Sequence, residues 1–264
     1  MSKKRLDILL VERGLAESRA QAQALVLAGR VPGHAKAGEQ VDESAQLEVA
    51  APARFVSRGG EKLAHALDVL GVDPAGRDCL DVGASTGGFT DVLLQRGATR
   101  VYALDVGRAQ LAESLRQDAR VISMERTNAR TLTAESLPER VSLVTFDVSF
   151  ISLGLVLGPA TTTLAPGPAD MVALVKPQFE AGRDQVNRGV VRDREVHAAV
   201  LRQVAAKARD LGLGTRNVIA SPLQGPEGNR EFLAYLGPGP SCAELDQVIE
   251  RAVEAAWAGP PGGA

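Results

Sequence analysis

At 264 residues, with 45% hydrophobic and 23% charged side chains and a net charge of -2, the chain has the make-up of a globular protein large enough to bury a sizeable core. This balance excludes extensive disorder, a fibrous repeat and nucleic-acid binding through blanket positive charge, so any such contact has to be local. Cys79 and Cys242 stand far apart, fit neither a metal-ligand pair nor a disulfide framework, and read as buried thiols.

The opening MSKKRLDILLVERG breaks its short apolar stretch with Asp7 and Glu12, which does not fit a signal peptide. No later run reaches membrane-spanning length, and the cytoplasm is the expected compartment. Leu6, Leu9 and Leu10 have helical spacing up to the breaker Gly14. Ser18 with Gln21 three residues on is a capping-box pattern; it opens a second short helix that stops at Gly29. Residues 31–49 turn to Gly, Pro and scattered valines, which predicts short strands and turns. Residues 1–52 thus make a small α+β module, and the aperiodic stretch that follows supplies a linker over 53–60.

Beyond residue 60 the periods alternate. A helix is predicted near 60–70, then strands ending near Asp81, Asp105 and Met124, with helical patterns at DVLLQRG and AQLAESLRQ between them. VSLVTFDV and DMVALVK read as further strands and REVHAAVLRQVAAKARDLG as a helix. TRNVIAS and EFLAYLG, joined by the turn-rich PLQGPEGN, read as a closing antiparallel hairpin. Such alternation implies a mostly parallel, doubly wound, Rossmann-like α/β domain over 61–245. Residues 246–264 are expected to form a C-terminal helix and a disordered tail.

The run Cys79-Leu80-Asp81-Val82-Gly83-Ala84-Ser85-Thr86-Gly87-Gly88-Phe89 puts a glycine-rich turn between a buried strand and a helix. Small residues there let the backbone approach a ligand, and free N–H groups at the helix start suit polar or anionic atoms. The spacing of Gly83 and Gly87-Gly88 does not fit the G-x-G-x-x-G fingerprint of dinucleotide binders. Asp105, at a strand end about twenty residues on, is placed to accept hydrogen bonds from a ribose diol, which reports a nucleoside without saying which one. Close packing of glycines and a lone acid at a strand end are the bland alternatives; together, inside the alternating pattern, they favour a ligand site.

DVGASTGGFT, ALDVG, ERTNAR, DVSFISL, LVKPQFE and SPLQGPEGNREF, in that order over nearly the whole chain, resemble the TlyA family of rRNA methyltransferases, relatives of the FtsJ-like ribose 2′-O-methyltransferases. RLDILLVERGLAESRAQAQALVLAGRV resembles the two-helix core of that family's RNA-binding module, of the type named after ribosomal protein S-four. It departs at Val31-Pro32-Gly33-His34, where the family has a strand and an Asn-Gly turn. The resemblance implies S-adenosylmethionine (SAM) as cofactor, held by Gly83, Ser85, Thr86, Gly87, Gly88, Phe89 and Asp105. Asn128 is implied at the adenine ring, or is simply a turn former. The resemblance also implies a catalytic set of Lys62, Asp147, Lys176 and Glu231 acting on the ribose 2′-hydroxyl of cytidine in the rRNA of a ribosomal subunit, with no metal and no membrane.

A ribose hydroxyl is a weak acid and a weak nucleophile, so something must orient it and take its proton. A lysine at its ordinary pKa of about 10.4 serves only where burial or neighbours lower that value. Lys62 near Lys176 would do so, with Asp147 and Glu231 holding the amines, and Lys176 is expected to act on the hydroxyl. Asp147 and Lys176 each end an apolar strand, where open α/β sheets bind ligands; Lys62 and Glu231 rest on the resemblance. Phe179 reads as a stacking or a packing residue. Within residues 1–30, Lys3, Lys4, Arg5, Arg13, Arg19 and Arg30 outnumber Asp7, Glu12 and Glu17, a basic patch suited to rRNA phosphates. Six Phe, two Tyr and one Trp in the whole chain favour recognition of shape over extensive stacking. Competing readings are a small-molecule acceptor, a non-catalytic ribosome-assembly factor, and membrane lysis, after the haemolysin label some family members carry. The basic module, the intact quartet and the lack of a spanning segment weigh against them in turn.

Overall fold

The structure is a computed structural model that describes residues 3–27, 29–51, 53–225 and 227–258. The chain divides between Arg54 and Phe55 into two compact units. The first holds β1 (Lys3–Arg5), α1 (Leu6–Glu12), α2 (Arg19–Leu27) and β2 (Gln40–Asp42). Helices this short need a shared apolar face, and Leu6, Leu10, Ala22, Leu25, Val26, Val31 and Val41 supply it. Ser18 Oγ accepts from the Gln21 N–H at 3.2 Å, while the Gln21 side chain reaches back to the Glu17 N–H rather than to that of Ser18. The sequence pattern does not announce β1, because three residues carry too little period; it pairs antiparallel with β2, Lys4 opposite Val41. Asp7 is fully buried and held by Arg5 at 2.9 Å, Arg19 at 3.1 Å and Gln23 at 3.0 Å. The Arg5 guanidinium, first among these, holds its carboxyl well below the usual carboxylate range.

In the second unit come α3 (Arg58–Leu70), β3 (Asp78–Val82), α4 (Gly88–Gln95), β4 (Arg100–Leu104), α5 (Glu113–Arg116), β5 (Val121–Met124) and β6 (Leu143–Phe146). They are followed by α6 (Leu157–Thr161), β7 (Asp170–Val175), α7 (Pro177–Glu180), α8 (Arg194–Asp210), β8 (Leu213–Ala220), β9 (Phe232–Pro238) and α9 (Leu245–Ala258). The strands form one sheet in the order β5-β4-β3-β6-β7-β9-β8, parallel from β5 to β7 and antiparallel at β9 and β8. Alternate residues serve opposite faces: Leu80, Val82, Tyr102, Val144 and Met171 join one core, and Cys79, Val101, Ala103, Leu143 and Val172 the other. A sheet buried on both faces explains the nearly continuous apolar runs, and the architecture is the doubly wound, Rossmann-like one.

Details depart from the sequence reading. Helix α3 begins at Arg58, so the stretch 53–60 ends inside its first turn. AQLAESLRQ yields only the four residues of α5, because the backbone before it turns at Ala109 (φ 53°) and Ala112 donates its N–H to the Thr86 carbonyl at 3.1 Å. Helix α9 is no appendage: Ile249, Ala252 and Val253 are buried in the same core as Val218 and Phe232, while residues 259–264 lie outside the described residues. Cys79 is buried, which pushes its thiol up to about 12, whereas Cys242 is only half-buried.

Asp81, in β3, is a buried carboxyl that the motif did not advertise. It accepts hydrogen bonds from Thr90 Oγ1 on α4 at 2.7 Å and Thr145 Oγ1 on β6 at 3.1 Å. Burial pushes it up to about 7 against the pull of the two hydroxyls. A carboxyl that keeps its proton longer in the folded state stabilises that state fully below the unfolded value near 3.8, and the contribution is lost as pH rises through about 7. Asp81→Asn is therefore expected to flatten the fall in Tm between about pH 4 and 8. Melts across that range giving the wild-type slope would show that Asp81 does not carry it.

Candidate active site

The order in which the chain lays down its strands fixes the site. From β3 it winds outward to β4 and β5 and then returns to β6 on the other side of β3, which opens a crevice at the carboxyl ends of these two strands. Val82 lies opposite Phe146, so Gly83 and Asp147 are the next residues out, and the Asp147 N–H donates to the Val82 carbonyl at 2.9 Å. Gly83 has φ 89°, and a Cβ there would lie 2.6 Å from the Asp147 carbonyl oxygen. Only glycine fits, on both grounds. Strand β7 ends one position before Lys176, whose Nζ stands 2.7 Å from Asp147 Oδ1 and donates to Ser149 Oγ at 2.7 Å. Strand β9 runs the other way, Phe232 opposite Val175, so it presents its beginning to the crevice. That beginning is Glu231, buried and ion-paired with the buried Lys62 of α3.

Lys62, Asp147, Lys176 and Glu231 thus meet around one cavity of about 440 Å³, lined also by Ser57, Arg58, Gly83, Ser85, Thr86, Gly88 and Phe89. Each ammonium is matched to its own carboxylate; the sequence reading has Asp147 and Glu231 holding the amines but sets Lys62 beside Lys176 and does not assign which carboxylate meets which amine. A second cavity of about 370 Å³ shares Gly83, Ser85, Asp147 and Ser149 and adds Asp105, Val106, Asn128, Phe150 and Ile151. Asp105 accepts the Ser85 N–H at 2.8 Å on one oxygen and the Gly107 N–H at 2.6 Å on the other, which leaves acceptor capacity on both. Asn128 Oδ1 accepts the Arg130 N–H at 3.0 Å, so the turn-forming role is filled while the residue also borders the cavity. Gly87 borders neither cavity; its φ of 97° turns the chain into α4.

Residues 55–238 match the FtsJ-like methyltransferase family, and residues 4–31 match the S4 domain. The chain belongs to the FtsJ-like methyltransferase family. It is 48% identical over 94% of its length, and 97% of the relative's, to the 16S/23S rRNA (cytidine-2′-O)-methyltransferase TlyA of Mycobacterium tuberculosis. Hemolysin A of Brachyspira hyodysenteriae is 39% identical over 88% of this chain and 98% of its own. A solved structure from Streptococcus thermophilus, described as a hemolysin candidate, superposes with a TM-score of 0.77 at 44% identity, covering 98% of this chain and 97% of that one. Among the described residues no helix is long and apolar enough to cross a membrane.

Three residues of this FtsJ-like methyltransferase escaped the sequence reading. Ser149 receives the Lys176 ammonium. Phe150 is 90% exposed with φ 63°, a costly backbone state for a bulky residue, and its ring centroid lies 5.0 Å from that of Phe179. Glu180 accepts from Ser152 Oγ and the Leu153 N–H, both at 2.6 Å, and so ties the loop after β6 to α7. DVSFISL and LVKPQFE contain all three, but nothing in their periods distinguishes a side chain that spans two loops. In the first unit, Arg5 and Arg19 bracket Asp7, Lys4 pairs with Glu12 at 2.8 Å, and Arg13 donates to the carbonyls of Ala45 and Glu43, each at 2.5 Å. Arg30 donates to the Ala50 carbonyl at 2.9 Å, and Lys3 stands opposite Asp42 in the β1–β2 ladder.

Proposed function

We propose that this chain transfers a methyl group from SAM to the ribose 2′-hydroxyl of a cytidine in ribosomal RNA. The observation that carries the reading is the pair of carboxylate–ammonium contacts, Lys62–Glu231 and Lys176–Asp147, around a cavity that opens onto the glycine loop. The residues fit the cofactor: Gly83 borders both cavities without a side chain, Asp105 keeps acceptor capacity for a ribose diol, and Val106 and Ile151 give an apolar wall beside Asn128. Ser85, Thr86, Gly88 and Phe89 border the neighbouring cavity, toward Lys176. When bound, SAM supplies an electrophilic methyl carbon on a positively charged sulfur. The chain's part would be to hold the hydroxyl oxygen in line and take its proton as the methyl passes from sulfur to oxygen, the C–S bond breaking as the O–C bond forms. Asp147 stands where both cavities meet, and Lys176, which lines the first cavity and contacts Asp147 and Ser149, serves that step with it; Lys62 and Glu231 shape the far wall. Phe150, exposed at the rim, offers a ring face to a nucleobase.

Incubation with labelled SAM and separated ribosomal subunits, followed by mapping of the labelled nucleotide, tests the reading. Label on a cytidine ribose is expected; label on a base, or none, overturns it. Supported by the S4 match and its ordered cations, residues 1–54 are proposed to hold the rRNA. Their removal is expected to weaken rRNA binding and to flatten the dependence of log K on log salt by about 0.7–0.9 for each phosphate no longer neutralised, with SAM binding retained. A truncated chain that methylates rRNA as efficiently as the full one at physiological salt would refute that role.

A further inference from the structure

The start of β9 is gripped from the side opposite the cavity. Arg230 stacks its guanidinium 4.0 Å from the Trp257 ring centroid and donates from Nε to the Ala256 carbonyl at 2.9 Å, both on the last turn of α9. Arg194, at the start of α8, stands 4.9 Å from the same ring. The indole Nε1–H donates to His197 Nδ1 at 3.2 Å, and the His197 imidazole meets the Phe232 ring edge-on at 5.5 Å. Residues 230 and 232 are therefore both engaged by one aromatic cluster, while Glu231 between them points the other way, to Lys62. In extended backbone, fixing the two flanking side chains fixes the direction of the middle one.

We propose that α9, through Trp257, is the device that aims Glu231, which makes Trp257 a positioning residue for methyl transfer. The proposal rests on the reading of Glu231 as part of the reactive quartet. A guanidinium stacked on an indole and tied to the helix backbone has little freedom, so the strand start inherits the rigidity of α9. Without the ring, Arg230 and Phe232 lose their shared support, and the Glu231 carboxylate drifts from Lys62. Small misplacements of catalytic groups translate into large losses of rate.

The test is a double-mutant cycle in single-turnover methylation of rRNA with saturating SAM, using the full chain and the variants Glu231→Ala, Trp257→Ala and the double variant. Trp257→Ala is expected to lower the rate roughly tenfold to a hundredfold with RNA and SAM affinities little changed. In the double variant the loss should equal that of Glu231→Ala alone. Trp257→Phe, which keeps an aromatic ring between Arg230 and His197, should restore most of the rate. Arg230→Lys, which keeps the charge but not the planar stack, should lose it while leaving the helix's apolar packing intact, and so serves if Trp257→Ala folds poorly. Because Trp257 is the single tryptophan of the chain, its emission reports directly whether the cluster is closed in Arg230→Lys. Full multiplication of the two losses, or wild-type rates in Trp257→Ala and Arg230→Lys, would overturn the proposal. A wild-type rate in Glu231→Ala removes instead the reading on which it rests.

Discussion

Arginine in place of Lys176 is expected to slow methyl transfer in a single turnover by roughly 10²–10⁴-fold, almost as much as alanine does. The residue lines the first cavity and stands 2.7 Å from both Asp147 Oδ1 and Ser149 Oγ, two side chains that border both cavities. If its work were only to complete an ion pair with Asp147, a guanidinium would do nearly as well, since it pairs with carboxylates in a fixed fork. A guanidinium cannot give up its proton under working conditions, and its planar head does not fit the volume of an ammonium. Loss in turnover with rRNA and SAM affinities preserved is the signature of an interaction made in the transition state. Rapid-quench methylation with Lys176→Arg measures it, and a rate near wild type would take the proton away from Lys176 and leave it with positioning alone.

Gly83→Val is expected to weaken SAM binding by about a hundredfold or more, the equivalent of roughly 3 kcal/mol, while rRNA binding stays near wild type. Two costs add. A β-branched residue is strained at φ 89°, and its Cβ would sit 2.6 Å from the Asp147 carbonyl oxygen, so the glycine loop and the loop after β6 must separate. Their separation removes the shared wall formed by Gly83 and Asp147 in both cavities. Titration calorimetry of the folded variant measures it; unchanged SAM affinity would place the cofactor elsewhere.

Much of this architecture was legible in the sequence because parallel strands buried on both faces leave long apolar runs, and each strand is followed by a residue that lines a cavity: Gly83 after β3, Asp105 after β4, Asp147 after β6, Lys176 after β7. Glu231 was legible only through resemblance, since it precedes an antiparallel strand and the rule that ligands gather at carboxyl ends does not point to it. That the two carboxylates hold the two amines was legible only through resemblance, and the assignment of partners was not legible. Which ammonium meets which carboxylate depends on strand order and on where α3 lies, neither of which a period encodes. Phe150 was hidden for a different reason: its importance lies in exposure and a left-handed backbone, while sequence patterns report burial.

Lys62 and its partner Glu231 are 169 residues apart in the chain. During synthesis the ammonium of Lys62 is made early, and the carboxylate that matches it leaves the ribosome only with the last strand of the sheet. A chain stopped after β7 would hold the glycine loop, Asp147 and Lys176, yet lack the carboxylate that meets Lys62 and leave the β7 edge unpaired. An unpaired buried charge and an open strand edge favour unfolding and intermolecular pairing respectively. The strand that covers the β7 edge is thus also the one that brings the partner of Lys62, so the sheet and the second ion pair are completed together.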